Sequence, residues 1–301
     1  MAHSDPIGTA LERLRNGDVV AMPTETVYGL AGDALNPLAI RRIYALKGRP
    51  AGHPVIVHLG PDADPRQWGA ISPVAQSLID EFWPGPLTLI VPRHPRVPDE
   101  VTGGRSSVGI RMPSHPVAQD LLTAFGSGLA APSANRFGRI SPTRAAHVRA
   151  EFSDELYVID GGPCAVGVES TIVDTTGDTP AILRSGSVLE ASVTAIVGPL
   201  GASTTVAPGT LKSHYAPMTS LRISREPEAE AQRLEAAGLT VAVFAAPELT
   251  EHAQQLYAEL RRLDALGVDV LVAEPAADEG LGVAINDRLS RAAHGFSTSQ
   301  S

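Results

Sequence analysis

Hydroxyls and cations recur in short segments at the ends of successive apolar runs. Thr24, Glu25, Thr26 and Tyr28 crowd one such turn. Lys47-Gly48-Arg49-Pro50 precedes an apolar stretch carrying His53 and His58. Ser107 and Arg111 flank the run Val108-Gly109-Ile110, and Ala131-Pro132-Ser133-Ala134-Asn135 is followed on the same connection by Ser141-Pro142-Thr143. Glu169-Ser170-Thr171 and Arg184-Ser185-Gly186 complete the set. Small residues beside hydroxyls let backbone N–H groups approach phosphate oxygens, and strand ends are where open α/β sheets hold ligands. Each segment also has a plain structural reading. Thr24 and Thr26 suit turn chemistry, and a histidine inside a strand is often a satisfied core residue. Arg111 sits in a strand otherwise fit for burial, so it needs an anionic partner, either a structural carboxylate or a substrate carboxylate.

The generic nucleotide and hydrolase signatures are missing: there is no Gly-Lys dipeptide for a Walker A loop, no G-x-G-x-x-G after the first strand, and no HExxH, CxxC or G-x-S-x-G. Cys164 is the single cysteine, which excludes an internal disulfide framework and a multi-cysteine metal site. Chemistry by positioning and charge neutralisation fits this inventory better than covalent catalysis.

The elements that must carry these groups follow from periodicity. Short apolar runs alternating with amphipathic stretches indicate an α/β protein, with strands expected near 18–22, 54–59, 87–91, 108–112, 129–131, 156–159, 171–174 and 181–184. Asn36 as N-cap and Pro37 in the first turn open a helix over LAIRRIYALK, which delivers Lys47 and Arg49 at its end. A second helix is expected over AAHVRAEF, behind the hydroxyls of Ser141 and Thr143. After residue 198 the chain turns rich in Gly, Ser, Thr and Pro, and 199–218 reads as a linker. Beyond it LRIS, TVAVFAAP and VDVLVAEP read as strands, with helices around 228–237, 251–266 and 282–293. The expectation is a catalytic domain over 1–198, a linker or lid over 199–218, and a small three-layer α/β, Rossmann-like domain over 219–301.

The chain has 301 residues, 43% of them apolar, and a formal charge of −9, which argues against bulk electrostatic binding of nucleic acid. Two segments nevertheless hold only basic charges: 36–60 with Arg41, Arg42, Lys47 and Arg49, and 134–150 with Arg136, Arg139, Arg144 and Arg149. If folding joined them, the site would suit a highly charged anion such as a nucleoside triphosphate. No apolar run is long enough for a membrane span and no signal peptide is evident, so a cytoplasmic protein without membrane contact is expected.

The ordered motifs PTETVYGL, KGRP, HPVIVHL, FWPGPLTLIV, VGIRMP, APSANRFGRISPT, VESTIVD and ILRSG resemble the threonylcarbamoyl-AMP synthase, or YrdC-domain, family over nearly the whole chain. APGTLKSHYAP is similar to the interdomain linker of its longer members, and EPAADEGLGVAINDRLSRAA to the end of their extra domain. The resemblance implies an open twisted mixed sheet of the YrdC type. It also implies formation of threonylcarbamoyl-AMP from L-threonine, bicarbonate and ATP, with Mg²⁺ accompanying ATP, for a downstream tRNA-modifying transferase complex. Carried over by position, Thr26, His58, Arg111, Ala131 and Ser170 would hold threonine, with Arg111 on its carboxylate. Lys47, Arg49, His53, Ser107, Ser133, Asn135, Ser141, Arg184 and Tyr215 would address ATP, with Lys47, Arg49 and Arg111 as the catalytic cations and no metal held by protein side chains. Lys212 and Tyr215 are the linker residues expected to close over the nucleotide. Two positions depart from the family pattern: His53 stands where Asn is expected and Phe137 where a small residue is expected. Competing readings are an RNA-binding module without catalysis, and a carbamoyltransferase-type domain of hydrogenase maturation, which would be accompanied by zinc-finger and acylphosphatase-like segments.

Overall fold

The computed structural model describes residues 5–50, 52–209, 214–245 and 248–294. In chain order the elements are α1 (Pro6–Arg15), β1 (Val20–Met22), β2 (Gly29–Asp33), α2 (Pro37–Lys47), β3 (Ile56–His58), α3 (Pro73–Phe82), β4 (Leu87–Pro92), α4 (Asp99–Thr102), β5 (Ser107–Arg111), α5 (Pro116–Phe125), β6 (Leu129–Ala130), α6 (Ala145–Phe152), β7 (Tyr157–Val158), β8 (Thr171–Asp174), β9 (Ala181–Arg184) and α7 (Glu190–Val197). After the linker come β10 (Ser220–Ile223), α8 (Pro227–Ala236), β11 (Val241–Phe244), α9 (Leu249–Asp264), β12 (Val270–Ala273) and α10 (Leu281–Ala293).

The first nine strands form one mixed sheet in the order β7-β1-β2-β6-β3-β5-β4-β8-β9. Its centre aligns the polar residues that matter: β3 and β5 run parallel with His58 opposite Arg111, and β4 runs parallel to β8. Helix α2 behaves as its sequence demands. The Asn36 side chain accepts the Leu38 N–H, Pro37 occupies the first turn, and Gly48 at φ 62° ends the helix in the left-handed region.

Two local expectations are corrected. Strand β2 was not foreseen, because GLAGD has two glycines and no β-branched residue. Close packing explains the glycines. A Cβ on Gly32 would meet Ile43 Cδ1 of α2 at 3.2 Å, and one on Gly29 would meet Ala131 Cβ at 3.1 Å. Helix α6 is not capped by a hydroxyl. Arg144 is its N-cap without a side-chain cap bond, and the Thr143 N–H instead donates to His147 Nδ1.

In the second unit β10, β12 and β11 form a parallel sheet in that order. Leu234 of α8 packs with Val270 and Val272 on one face. Leu256, Tyr257 and Leu260 of α9 join Ile285 and Leu289 of α10 against Leu271 on the other, making three layers. That second cluster also takes in Val27, Ile140 and Val168 of the first unit, and Tyr215 of the linker. An apolar core therefore runs continuously from one unit into the other.

The two basic segments do meet, Lys47 Nζ donating to the Asn135 carbonyl and Arg136 Nη1 to the Leu46 carbonyl, but their charges do not form a single patch. Arg41 pairs with Glu100 and Arg42 with Asp18. Arg136, Arg139 and Arg144 line an open groove against α9, separate from the pocket that receives Arg49.

Candidate active site

Arg111 is fixed before any ligand arrives. Its Nη2 donates to Glu25 Oε1 at 2.6 Å, its Nη1 to Thr26 Oγ1 at 2.9 Å and its Nε to the Gly85 carbonyl at 3.2 Å. Both partners of the ion pair are buried, and the Glu25 carboxylate also accepts the Ser114 N–H. The structural partner left open by the sequence is thus Glu25. Even so, the guanidinium lines a pocket with Thr26, His58, Ala131 and Ser170. His58 is neutral: burial, with help from Arg111, pushes its pKa down to about 3. The Ser170 hydroxyl shares a 2.8 Å bond with Thr88 and accepts from Arg184 Nη2 at 3.0 Å.

The same pocket continues to Arg49, Ser133 and Arg184. Arg49 Nη2 donates to the Pro54 carbonyl at 2.8 Å, and burial lowers its pKa to about 10. Arg184 uses Nε and Nη1 on the carbonyls of Ser170 and Pro208, both at 3.0 Å. Among the described residues, Arg49 Nε, His58 Nδ1 and the Tyr215 hydroxyl are buried without a hydrogen-bond partner. Unpaired buried polar groups are costly, so their gathering around one pocket marks it for a polar ligand.

Five other expected residues stand behind or beside the lining. Lys47 Nζ donates to the Ser133 and Asn135 carbonyls, which braces the wall carrying Ser133. Burial, with Arg49 adding to it, holds that amine well below the ordinary lysine range. Asn135 Nδ2 closes its own loop on the Arg136 and Arg139 carbonyls, both at 2.8 Å. Ser141 donates to Glu169 Oε1 at 2.6 Å, and Glu169 is the member of that pair on the lining. Ser107 begins β5, four residues before Arg111, and does not face the cavity. His53 reaches the site through rings.

Those rings form a chain across the molecule. His53 lies 5.6 Å from Phe137, Phe137 6.1 Å from His214, His214 4.1 Å from Tyr215 and Tyr215 5.6 Å from Tyr257. The Arg49 guanidinium covers Phe137 at 5.6 Å. The two residues that depart from the family pattern are therefore in mutual contact, and Phe137 meets the linker. Lys212 lies outside the described residues; His214 and Tyr215 are both buried in the pocket wall. Beneath them the pocket keeps only about 50 Å³ of free volume.

Sequence reasoning missed Glu25 as a partner for Arg111, Glu169 as a pocket anion, and the C-terminal residues Tyr257 and Arg288 that reach it. Glu169 was visible as a carboxylate beside an apolar strand, the same signal that singled out Arg111. Nothing in the local pattern around Arg288 marks it.

Residues 12–186 match the Sua5/YciO/YrdC family model, described as "Telomere recombination", and residues 183–294 match the model described as "Threonylcarbamoyl-AMP synthase, C-terminal domain". A Bacillus subtilis relative named threonylcarbamoyl-AMP synthase is 37% identical, covering 98% of this chain and 95% of its own. A Pyrococcus abyssi relative of the same name is 36% identical over 93% of this chain and 91% of its own. The crystal structure of P. abyssi Sua5 complexed with L-threonine superimposes with a TM-score of 0.90 at 35% identity, covering 96% of this chain and 94% of that one. The chain belongs to the threonylcarbamoyl-AMP synthase family, with both the Sua5/YrdC domain and the C-terminal domain of that family.

Proposed function

We propose that this protein is an L-threonylcarbamoyladenylate synthase, joining L-threonine, bicarbonate and ATP into threonylcarbamoyl-AMP and pyrophosphate. The observation that carries the reading is one pocket with two chemically different sides that meet where Arg184 bonds to Ser170. Arg111, Thr26 and Ser170 suit a small zwitterion, and Arg49, Ser133 and Arg184 suit a polyphosphate. Arg111 takes the threonine carboxylate with donors that Glu25, Thr26 and Gly85 hold in position. Ala131 and the neutral His58 border the rest of the amino acid without adding charge.

The threonine ammonium loses a proton to solvent, and the free amine condenses with bicarbonate, forming an N–C bond and releasing water. A carbamate oxygen then attacks the α-phosphorus, and the bond from that phosphorus to the bridging oxygen of pyrophosphate breaks. Arg49 and Arg184 neutralise charge on the phosphates, while Lys47 keeps the Ser133 loop in place. Water must be kept out, because the carbamate and the mixed anhydride both hydrolyse; His214 and Tyr215 over the pocket serve that end. Among the described residues no group of three or more His, Cys, Asp or Glu could hold a metal. A Mg²⁺ ion brought on the triphosphate would offset phosphate charge there. The product serves a tRNA-modifying transferase, and the protein works in the cytoplasm; no described helix is long and apolar enough to cross a membrane.

The test is pyrophosphate release from ATP, expected only when L-threonine and bicarbonate are both present. Equal release without either sinks the reading. L-Serine should be several-fold poorer, since one lost buried methyl costs about 1 kcal/mol.

A further inference from the structure

Glu169 is a buried carboxylate on the wall of a pocket assigned to a polyanion. Left alone, such a charge would repel phosphate and bear a heavy desolvation cost. It is not left alone. Arg288, from α10 of the second unit and 1% exposed, donates Nε to Glu169 Oε2 at 3.2 Å and Nη1 to the Ser185 carbonyl at 2.6 Å. Its guanidinium carbon lies 5.8 Å from the centre of the Tyr215 ring. Tyr257 of α9 donates to the same carboxylate oxygen at 2.8 Å, and Ser141 donates to the other at 2.6 Å. Arg288 thereby touches the strand end that carries Glu169, the loop after Arg184, and the linker ring over the pocket.

We propose that Arg288 is a positioning residue of the nucleotide subsite, cancelling the charge of Glu169 and fixing that carboxylate and the Tyr215 ring on the pocket wall where ATP needs them. The inference rests on the reading of the pocket as a joint ATP and threonine site. Arg288 acts through Glu169, and its effect falls on ATP. At the threonine side Arg111 is held by Glu25, Thr26 and Gly85, and the Ser170 hydroxyl by Thr88 and Arg184, none of which bonds to the second unit's guanidinium. Burial favours the neutral acid and is the largest single influence, yet Arg288, Arg184 and the Ser141 and Tyr257 hydroxyls together outweigh it, and Glu169 stays below the usual carboxylate range.

The experiment is calorimetric titration of the full chain with ATP and with L-threonine, alongside the synthesis assay. Arg288→Met should weaken ATP at least tenfold and threonine less than twofold. Adding Glu169→Gln to Arg288→Met removes the stranded charge and should recover several-fold of the lost ATP affinity. Arg288→Lys, which keeps the charge but loses the two-armed grip, should fall between; if Arg288→Met does not fold, this variant alone decides. A residue that merely joins the two units would weaken both ligands alike and gain nothing from Glu169→Gln. Unchanged ATP affinity, equal losses, or no recovery each overturn the proposal. Failure of the unaltered protein to bind ATP and threonine would instead overturn the reading of the pocket.

Discussion

Arg111 has two roles, and its mutation should damage both. It is the cation proposed for the threonine carboxylate and the sole cation within bonding distance of the buried Glu25 among the described residues. Arg111→Ala should cut threonine affinity more than tenfold, since a charge-assisted bond contributes about 1.5 to 3 kcal/mol. It should also lower stability by about 3 to 5 kcal/mol, because Glu25 is left charged and unpaired. Pairing it with Glu25→Gln separates the effects: melting temperature should recover while threonine affinity, read by calorimetry, should not. Recovery of both would make Arg111 purely structural. The sequence exposed Arg111 because a charge inside an apolar strand is anomalous. It hid Glu25, whose turn of hydroxyls and acid looks like any polar loop. The same holds across the pocket: anomalies against local pattern were readable, and partners supplied from distant segments were not. Strand-end hydroxyls such as Ser170 acquire meaning only when β4 and β8 lie side by side, bringing Thr88 to within 2.8 Å.

The linker is an element in its own right. Ser203 donates to Asp174 at 2.5 Å, Ala207 packs with Ile56, Ile90 and Ile172, and Pro208 accepts from Arg184, so its first half lies along the sheet. It leaves the pocket with the Ala216 N–H on the Gly138 carbonyl at 2.8 Å. Composition announced a segment without helix or strand, but not its path, because ring contacts and single bonds to carbonyls leave no periodic trace. His214 makes this docking sensitive to pH. Burial drives its pKa down to about 3; Glu169 pulls upward, while Lys47, Arg49 and Arg184 push further down. An undocked His214 would titrate near 6.5, so docking is fully favourable above that value and is lost as pH falls toward 3. Between pH 7 and 5.5 the loss is about 1 kcal/mol. Hydrogen exchange at the Ala216 amide, corrected for the intrinsic rate, should therefore speed up roughly five- to tenfold over that interval. His214→Gln should flatten the response. A pH-independent Ala216 amide in the unaltered protein would show that His214 is not held neutral by docking.

Viewed entire, the molecule draws the residues proposed for threonine from the first unit and those proposed for ATP from that unit and the linker, while the second unit reaches the pocket through Arg288 and Tyr257 on Glu169. The nine-stranded sheet and α1 to α7 are complete by Val197, which is why a chain ending near Ala202 should fold. The same cut uncovers Val27, Ile140 and Val168, which pack into the second unit's core, and strips Glu169 of Arg288 and Tyr257. Although strands such as β8 and β12 are buried on both faces and β2 escaped, short apolar runs set between amphipathic stretches made most of both sheets legible. The seam between them was not, because it consists of a few side chains from α9 and α10 with no shared pattern. The unequal division predicts an unequal defect. The truncated protein should keep threonine affinity within about threefold, as Arg111, Thr26, Ser170 and their partners all remain. ATP affinity should fall at least as far as in Arg288→Met, because the linker rings and the Glu169 counter-charge go together. Product per pyrophosphate released should also drop, since no ring then shields the anhydride from water. Tyr215→Ala in the full chain removes the shield but leaves Arg288 on Glu169, so it should lower product yield with a smaller loss of ATP affinity. Full yield from the truncated chain would mean that the first unit alone protects and completes the chemistry.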